Sequence, residues 1–479
     1  MAISDEMGRR GERPGHRKRV PSSGVRSLLA ARLVDPLYWR VLKRSDVLRR
    51  FEEFERQQWD SADEFRARQD GLLAEILVHA KSRISYYAAR LGHLDDRDIR
   101  VDPRACLSEF PTLTRDDLRE SLDRLWIDVG RGAYLNSTGG STGVPVAFYQ
   151  DTVYKDAALA ATRLFYEWAG VRAGDRALKL WGAGRDIGRG WHRFSRQALE
   201  FAMNRRTLDA FSLGREEMRR HAAAMTRFRP VALEGYADAL YEFARFVEEE
   251  SVSVPASRCI VSSAGTLHPH MRELITRVLG APVYDRYGAR DVGNVAAECG
   301  LGAGMHVHGE TSLVEIVDAE GNEVSEGDVG RLLVTNLRNY TMPLIRYEVG
   351  DDAERGASRC DCGRPYPLLA RVVGRTGSSF PTSEGGVVLP EFFIHVVGVE
   401  YREHGVRKFQ VVQESLNEIV VKIVLDAGAE TPAADVRVGL AARIKEAMGE
   451  SCEVRLEFVD DIPPTGTGKH LYTVSKVRR

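Results

Sequence analysis

Helical periodicity alternates with short β-branched runs through the middle of the chain, and this alternation limits the fold more than any other feature. Helical spacing covers residues 152–169, 214–227, 235–250 and 269–279. Strand-like runs stand at Ala177–Leu180, Cys259–Ser262, Val283–Tyr284, Leu313–Val317 and Gly330–Asn336. Strands threaded between helices call for α/β architecture, in which helices cover the faces of a sheet. Upstream, Val25–Leu91 reads as helical. Leu72, Leu73, Ile76, Leu77 and Ala80 keep helical phase, and Gly92 is a stop. No internal repeat with a fixed period is visible.

A Gly/Ser-rich stretch at Gly374–Gly386 reads as a linker. Beyond it, Phe409–Gln413 and Glu418–Leu425 read as strands around a turn at Ser415–Asn417. Ala433–Met448 reads as a helix and Cys452–Val459 as a further strand. The expected organisation is a disordered basic tail at 1–24, a large domain at 25–375 and a small α+β lid at 376–479. The tail carries Arg9, Arg10, Arg13, Arg17, Lys18 and Arg19. It reads first as a solvated segment and second as a basic contact for a partner or anionic lipid.

Composition removes several classes. Of 479 residues, 43% are hydrophobic and 29% charged, which excludes disorder as the dominant state. No apolar run reaches the roughly 18 residues of a membrane span, so an integral membrane protein is not expected. Lys plus Arg is 68 against 69 Asp plus Glu, a net charge of −1, which gives no global electrostatic reason to expect nucleic acid or an anionic membrane as the main partner. Six cysteines and the lack of an apolar stretch near Met1 point to a reducing, cytoplasmic compartment.

Four segments carry chemistry. Ser137-Thr138-Gly139-Gly140-Ser141-Thr142-Gly143-Val144-Pro145 packs three glycines and four hydroxyl residues into nine positions. Glycines let backbone N–H groups approach and cradle phosphate oxygens; a flexible turn is the bland alternative. Tyr287-Gly288-Ala289-Arg290-Asp291 follows the strand-like Val283–Tyr284. There an aromatic ring can cover a purine and a carboxylate can hold Mg²⁺, unless this is an ordinary turn. Ile345–Asp351 ends in Gly350-Asp351, and such an Asp can accept both ribose hydroxyls or simply face solvent. Pro463–Lys469 puts a lone cation on a Gly-rich loop, able to pair with carboxylate and phosphate or to remain a surface loop.

Taken in order, these segments resemble the ANL superfamily of adenylate-forming enzymes. Tyr284–Gly293 and Ser263–Leu267 give the closest resemblance to the phenylacetate–coenzyme A ligase family, including its CapK-like branch. The resemblance covers roughly residues 65–479. It implies a large adenylate-forming domain of mixed sheets and helices with a small, mobile C-terminal lid. It further implies that ATP activates a carboxylic acid, aryl or related, to an acyl-adenylate, with transfer to a thiol, most often that of coenzyme A. By similarity, Ser137, Thr138, Gly139, Gly140, Ser141, Thr142 and Gly143 hold phosphates. Tyr287 with Gly288 covers adenine, Asp351 binds ribose, and Arg375 lies near the ribose–phosphate. Lys469 bridges the carboxylate and the α-phosphate. Asp291 stands where the family carries a Mg²⁺-associated Glu. Tyr236, Ser263, Ala264 and Gly265 line the acyl pocket, with core packing an equal reading for Tyr236. Trp181–Gly184 lines a tunnel or simply packs.

Three departures stand out. Val144 and Val146 occupy a stretch where many relatives carry Lys, Asp291 is shorter than Glu, and Arg375 is followed by Thr376, Gly377 and Ser378 rather than a hinge acid. The alternative acceptors are a carrier-protein thiol or a sugar in polysaccharide assembly. A non-catalytic nucleotide-binding module of such an assembly is the third reading. A homodimer is among the expected assemblies.

Cys299, His306, Cys360 and Cys362 form a candidate structural Zn²⁺ set, with His308 on the same strand face as His306. Free thiols in a buried turn are the competing reading. Cys106, Cys259 and Cys452 read as core thiols.

Overall fold

The computed structural model describes residues 24–137, 146–181, 191–208, 210, 215–375, 380–383, 387–388, 393, 396–398, 401, 404–426, 428–463 and 471–477. In chain order the strands are β1 Tyr134–Ser137, β2 Ala147–Gln150, β3 Ala177–Leu180, β4 Arg205–Leu208, β5 Ala232–Tyr236, β6 Cys259–Ser263 and β7 Val283–Ala289. They continue with β8 Gly293–Glu298, β9 Met305–Val307, β10 Ser312–Val317, β11 Val329–Asn336, β12 Tyr347–Arg355 and β13 Leu368–Arg375. The last are β14 Phe380–Pro381, β15 Val387–Val388, β16 Val406–Ser415, β17 Glu418–Leu425, β18 Glu453–Phe458 and β19 Thr473–Ser475.

Eleven strands form one mixed sheet in the order β10-β11-β12-β13-β9-β8-β7-β6-β5-β3-β4. The β4-β3-β5-β6-β7 half is parallel. Its crossovers are helices, among them Ala237–Glu249 and Pro269–Leu279. From β7 to β10 every pairing is antiparallel. The central parallel strands β5 and β6 are buried along their whole length, and β6 starts with the apolar Cys259-Ile260-Val261.

Local signals set the helix ends. Ser61 caps Ala62–Arg83 in a reciprocal capping box with Glu64. Asp151 caps Thr152–Trp168, and its Oδ1 accepts from the Tyr154 N–H. Pro269 opens Pro269–Leu279, and Gly280 closes it at φ 67°. Ala157, Ala160, Ala161, Leu164, Phe165 and Trp168 bury one face of Thr152–Trp168 with Phe51 and Phe54 of helix Val47–Gln57 and Ala297 of β8.

The C-terminal sheet has the order β18-β17-β16-β19 and shares a core with Leu440, Ile444 and Met448 of helix Ala434–Met448. Phe380 and Phe393 belong to the same core. The linker expected at Gly374–Gly386 differs accordingly. Gly374 and Arg375 end β13, and Phe380–Pro381 pairs with Val387–Val388. Cys259 and Cys452 are buried as expected, whereas Cys106 is partly exposed. Among the described residues, no helix is long and apolar enough to cross a membrane.

Candidate functional site

Open α/β sheets bind ligands beyond the carboxyl ends of their parallel strands. Trp181 follows β3 there, Tyr236 ends β5 and Ser263 ends β6. The rings of Trp181 and Tyr236 lie 4.3 Å apart at 30°. Ala264 is left-handed at φ 60°. A Cβ on Gly265 would lie 3.3 Å from Asp238 Oδ2 and 3.4 Å from Ala237 Cβ, so this turn hugs the start of helix Ala237–Glu249. The expected acyl-pocket residues are thus neighbours, and Tyr236 is largely buried against Trp181.

Tyr287 lies inside β7 rather than after it, since the strand runs on to Ala289. Its hydroxyl donates to Asp351 Oδ2 at 2.7 Å, so the residue expected over adenine touches the one expected on ribose. Gly288 has no room for a side chain, because a Cβ would lie 2.5 Å from the Gly293 carbonyl oxygen. Asp351 pairs in register with Arg375 on β13.

Asp291 accepts hydrogen bonds on both carboxylate oxygens. Its side chain is buried, Oδ2 accepts from the Tyr347 hydroxyl at 2.8 Å, and Oδ1 accepts from the Val292 N–H at 3.2 Å. Bound Mg²⁺ usually keeps several waters, and this carboxylate presents no wet face. In this arrangement Asp291 therefore anchors Tyr347 and does not fit as an open metal ligand.

Arg115 is the group that sequence reasoning missed. Leu113 pairs with the start of β12 through Leu113 N–H to Arg346 O and Glu348 N–H to Leu113 O. That pairing sets Arg115 beneath Gly350, with its guanidinium donating to Val349 O at 2.6 Å. Burial opposes the charge, yet Tyr347, Asp291 and Asp351 around it raise its pKa above the ordinary value. The only sequence signal was the Thr114–Asp117 capping box, which says where a helix starts and nothing about a site.

The hairpin β1–β2 brackets the Gly/hydroxyl segment, with Ser137 opposite Ala147. Gln150 of β2 donates through Nε2 to the Arg290 carbonyl at 3.1 Å, tying the hairpin to the Asp291 loop. Thr138–Gly143, the Arg375 side chain, Gly182–Gly184 and Lys469 lie outside the described residues. Tyr472, which closely follows Lys469 in sequence, packs on His268 with ring centroids 6.2 Å apart. His268 follows the Ser263–Gly265 turn closely.

Cys299, His306, Cys360 and Cys362 come together, with their ligand atoms within 4.8 Å of one another. The Gly363 N–H donates to Cys360 O in a tight turn, with Gly363 at φ 79°, and this turn aims both thiols inward. Cys299 Sγ lies 3.7 Å from Cys360 Sγ, and Cys362 Sγ lies 3.3 Å from His306 Nε2. Tetrahedral zinc, with Zn–S near 2.3 Å, separates two thiolates by about 3.8 Å, so the donor set fits. His308 is outside the set, packed among Phe54, Phe165 and Tyr366.

Beneath Trp181 and Tyr236, on the same sheet face, lies a buried ion cluster that the sequence did not announce. Glu234 of β5 meets Lys179 Nζ at 2.5 Å and accepts from Arg286 at 3.1 Å. Burial alone would raise the Glu234 pKa, but the two cations win and bring it down to about 2. Removing the carboxylate would leave two buried cations facing each other.

Residues 380–476 match the family model of the CapK C-terminal domain. The chain is 23% identical to Protein CapK of Staphylococcus aureus over 414 residues, covering 84% of this chain and 88% of that one. It is 26% identical to a phenylacetate–coenzyme A ligase of Thermus thermophilus over 444 residues, covering 85% and 95%. In sequence the chain is thus similar to CapK and to phenylacetate–coenzyme A ligases. Among solved structures, the chain is similar to a 2-hydroxyisobutyryl-CoA ligase in the postadenylation state. The TM-score is 0.66 at 18% identity, with 86% of this chain and 89% of that one covered, which shows the shared fold.

Proposed function

We propose that this protein is an AMP-forming acid–thiol ligase that uses ATP and, as thiol, coenzyme A. The single observation that carries the reading is the 2.7 Å contact between Tyr287 and Asp351, with Arg115 beneath them, beside the carboxyl ends of the parallel strands. An aromatic face and an acidic acceptor so joined suit a nucleoside. The related phenylacetate–coenzyme A ligase from Thermus thermophilus supports the same reaction class.

In the proposed reaction, a carboxylate oxygen attacks the α-phosphorus of ATP, and the bond to pyrophosphate breaks. The thiol sulfur, deprotonated, then attacks the acyl carbon, and AMP leaves. The Ser137–Gly143 segment would receive the β- and γ-phosphates through backbone N–H groups. Arg375 and Lys469 would offset the charge that accumulates when two anions meet. Trp181 and Tyr236 would form an apolar wall for an acid bearing an aromatic or compact apolar group. Residues 25–375 would form the large body and 376–479 a small lid whose movement lets one site serve both steps. Cys299, His306, Cys360 and Cys362 would hold a structural Zn²⁺; all four positions would be filled by protein, which leaves none for a substrate.

ATP–pyrophosphate exchange against a panel of aryl, hydroxyaryl, short branched and fatty acids tests this reading. Exchange with at least one acid, followed by AMP release on adding coenzyme A, is the expected result. Exchange with AMP release only on adding a carrier protein would reassign the acceptor. No exchange with any acid would remove the reading.

A further inference from the structure

The helical arm between Val25 and Leu42 presents an outer row of Val25, Leu29, Leu33, Leu37 and Val41, at every fourth position. These side chains are 75%, 53%, 60%, 48% and 59% exposed. With Leu42, six of the fourteen exposed large hydrophobic side chains among the described residues fall on this short arm. A seventh, Phe201, stands beside it, with the Arg26 guanidinium 4.0 Å from its ring centroid.

The straight row has a geometric cause. The arm is α-helical at Val25–Leu29 and π-helical at Ala30–Val34 and Leu37–Leu42. A π turn bonds i to i+5 and takes more than the about 3.6 residues of an α turn, so positions four apart stay in line along the axis. The inner face is fixed and cannot roll inward to hide the row. Asn204 donates to Ser27 Oγ at 3.1 Å, Arg163 donates to Asp35 at 2.8 Å, and Gly174 lies so close to Ser27 that a Cβ there would meet its carbonyl oxygen at 2.3 Å.

Charge selects the occupant. Arg26, Arg32, Arg40, Lys43 and Arg44 are all exposed along the arm. The one acid between Gly24 and Ser45 is Asp35, which is buried and committed to Arg163 and Trp39. A second copy docking through this row would bring ten like charges face to face, five from each chain. Nucleic acid would use the cations and leave the aliphatic row in water. A narrow aliphatic stripe flanked by cations, with Tyr38 and Trp39 beside it, matches a helix that lies in a lipid headgroup boundary.

We propose that the arm docks this protein on an anionic lipid surface, with the aliphatic row entering the acyl boundary and the flanking cations pairing with lipid phosphates. No described helix can span a bilayer, so the contact is one of lying on the surface. The proposal is independent of the ligase reading.

The test is flotation of the full chain with vesicles of phosphatidylcholine alone and of phosphatidylcholine mixed with phosphatidylglycerol, at low and high salt. About tenfold more protein should float with the anionic vesicles at low salt, and the excess should shrink at high salt. The double variant Leu33→Glu/Leu37→Glu should lose the excess while keeping the wild-type thermal unfolding temperature. Arg32→Ser/Arg40→Ser should lose most of it too, and this pair keeps the test decisive if the glutamates disturb folding. Equal flotation with both vesicles, or full flotation of both variants, overturns the proposal. Sedimentation showing a dimer that Leu33→Glu/Leu37→Glu converts to monomer also overturns it and assigns the row to a second copy.

Discussion

Tyr287 and Asp351 are far apart in sequence, and one hydrogen bond joins them. Under the ligase reading Asp351 carries the ribose contact, and a hydrogen bond to a charged group is worth about 1.5–3 kcal/mol. Asp351→Ala should therefore raise the KM for ATP in pyrophosphate exchange by roughly 10- to 100-fold. Tyr287→Phe keeps the ring and loses only the hydroxyl, so its effect should be smaller, about tenfold or less. Steady-state exchange kinetics on both variants check the order; a larger loss in Tyr287→Phe would mean the hydroxyl, not the ring, does the work. A second residue gives a pH signature. Burial, with help from the charge of His270, lowers the His268 pKa to about 3. Tyr472 and His270 pack against it, Tyr241 packs on His270, and Asp238, Glu242 and Arg245 lie on the facing helix. Between about 6.5 and 3 the unfolded chain takes a proton that the folded one refuses, so stability is full above that window and falls as pH drops, by about 1.4 kcal/mol per unit. His268→Leu should flatten the decline in unfolding temperature between neutral pH and pH about 4. An identical decline in both proteins would show that His268 is not the titrating group. Motif order made Tyr287, Asp351 and Asp291 legible as residues. It could not show that the Asp291 carboxylate turns inward to Tyr347, because that depends on a partner brought in by β12.

Strands rich in apolar side chains were readable, and Ala177–Leu180 has the expected bounds. β5 was not readable, because Glu234 and Gly235 interrupt the apolar pattern; Lys179 and Arg286, on other strands, satisfy the carboxylate. β4 begins with Arg205-Arg206, both exposed on the sheet's edge, and gives no hydrophobic signal either. The Cys/His set illustrates the opposite case, since chemistry-bearing residues are conspicuous even when spacing is unusual. Three thiols and one imidazole converge from just past the end of β8, from the middle of β9 and from the Cys360–Gly363 turn. If zinc ties these elements together, metal analysis after chelator-free purification should find about one equivalent per chain. A strong chelator should then lower the unfolding temperature, and Cys362→Ser should reproduce that loss without chelator. Less than about a tenth of an equivalent, with no chelator effect, would leave the cluster as free thiols.

At the scale of the molecule, Arg245 links helix Ala237–Glu249 to the C-terminal sheet. Arg245 donates to the Arg407 carbonyl at 3.0 Å and reaches Asp426 at 3.4 Å, while Glu249 anchors it on its own helix at 2.9 Å. Tyr472 packs on His268 beside the Ser263–Gly265 turn. Tyr472 closely follows Lys469 in sequence, and under the ligase reading the small unit would bring Lys469 to this face. Under the ligase reading that arrangement serves adenylation, and the thiol step requires a different one. Arg245 stabilises one arrangement without touching substrate, so Arg245→Ala should separate the two half-reactions. Pyrophosphate exchange should fall about tenfold, the cost of one hydrogen bond to a charged donor. Consumption of a supplied acyl-adenylate by coenzyme A should stay level or rise, because the competing arrangement has lost a contact. Single-turnover measurements of each half-reaction on the same preparation decide the matter. Equal losses in both would make Arg245 a general stabiliser. An unchanged exchange rate would show that the Arg245 contact does not limit how the small unit presents Lys469.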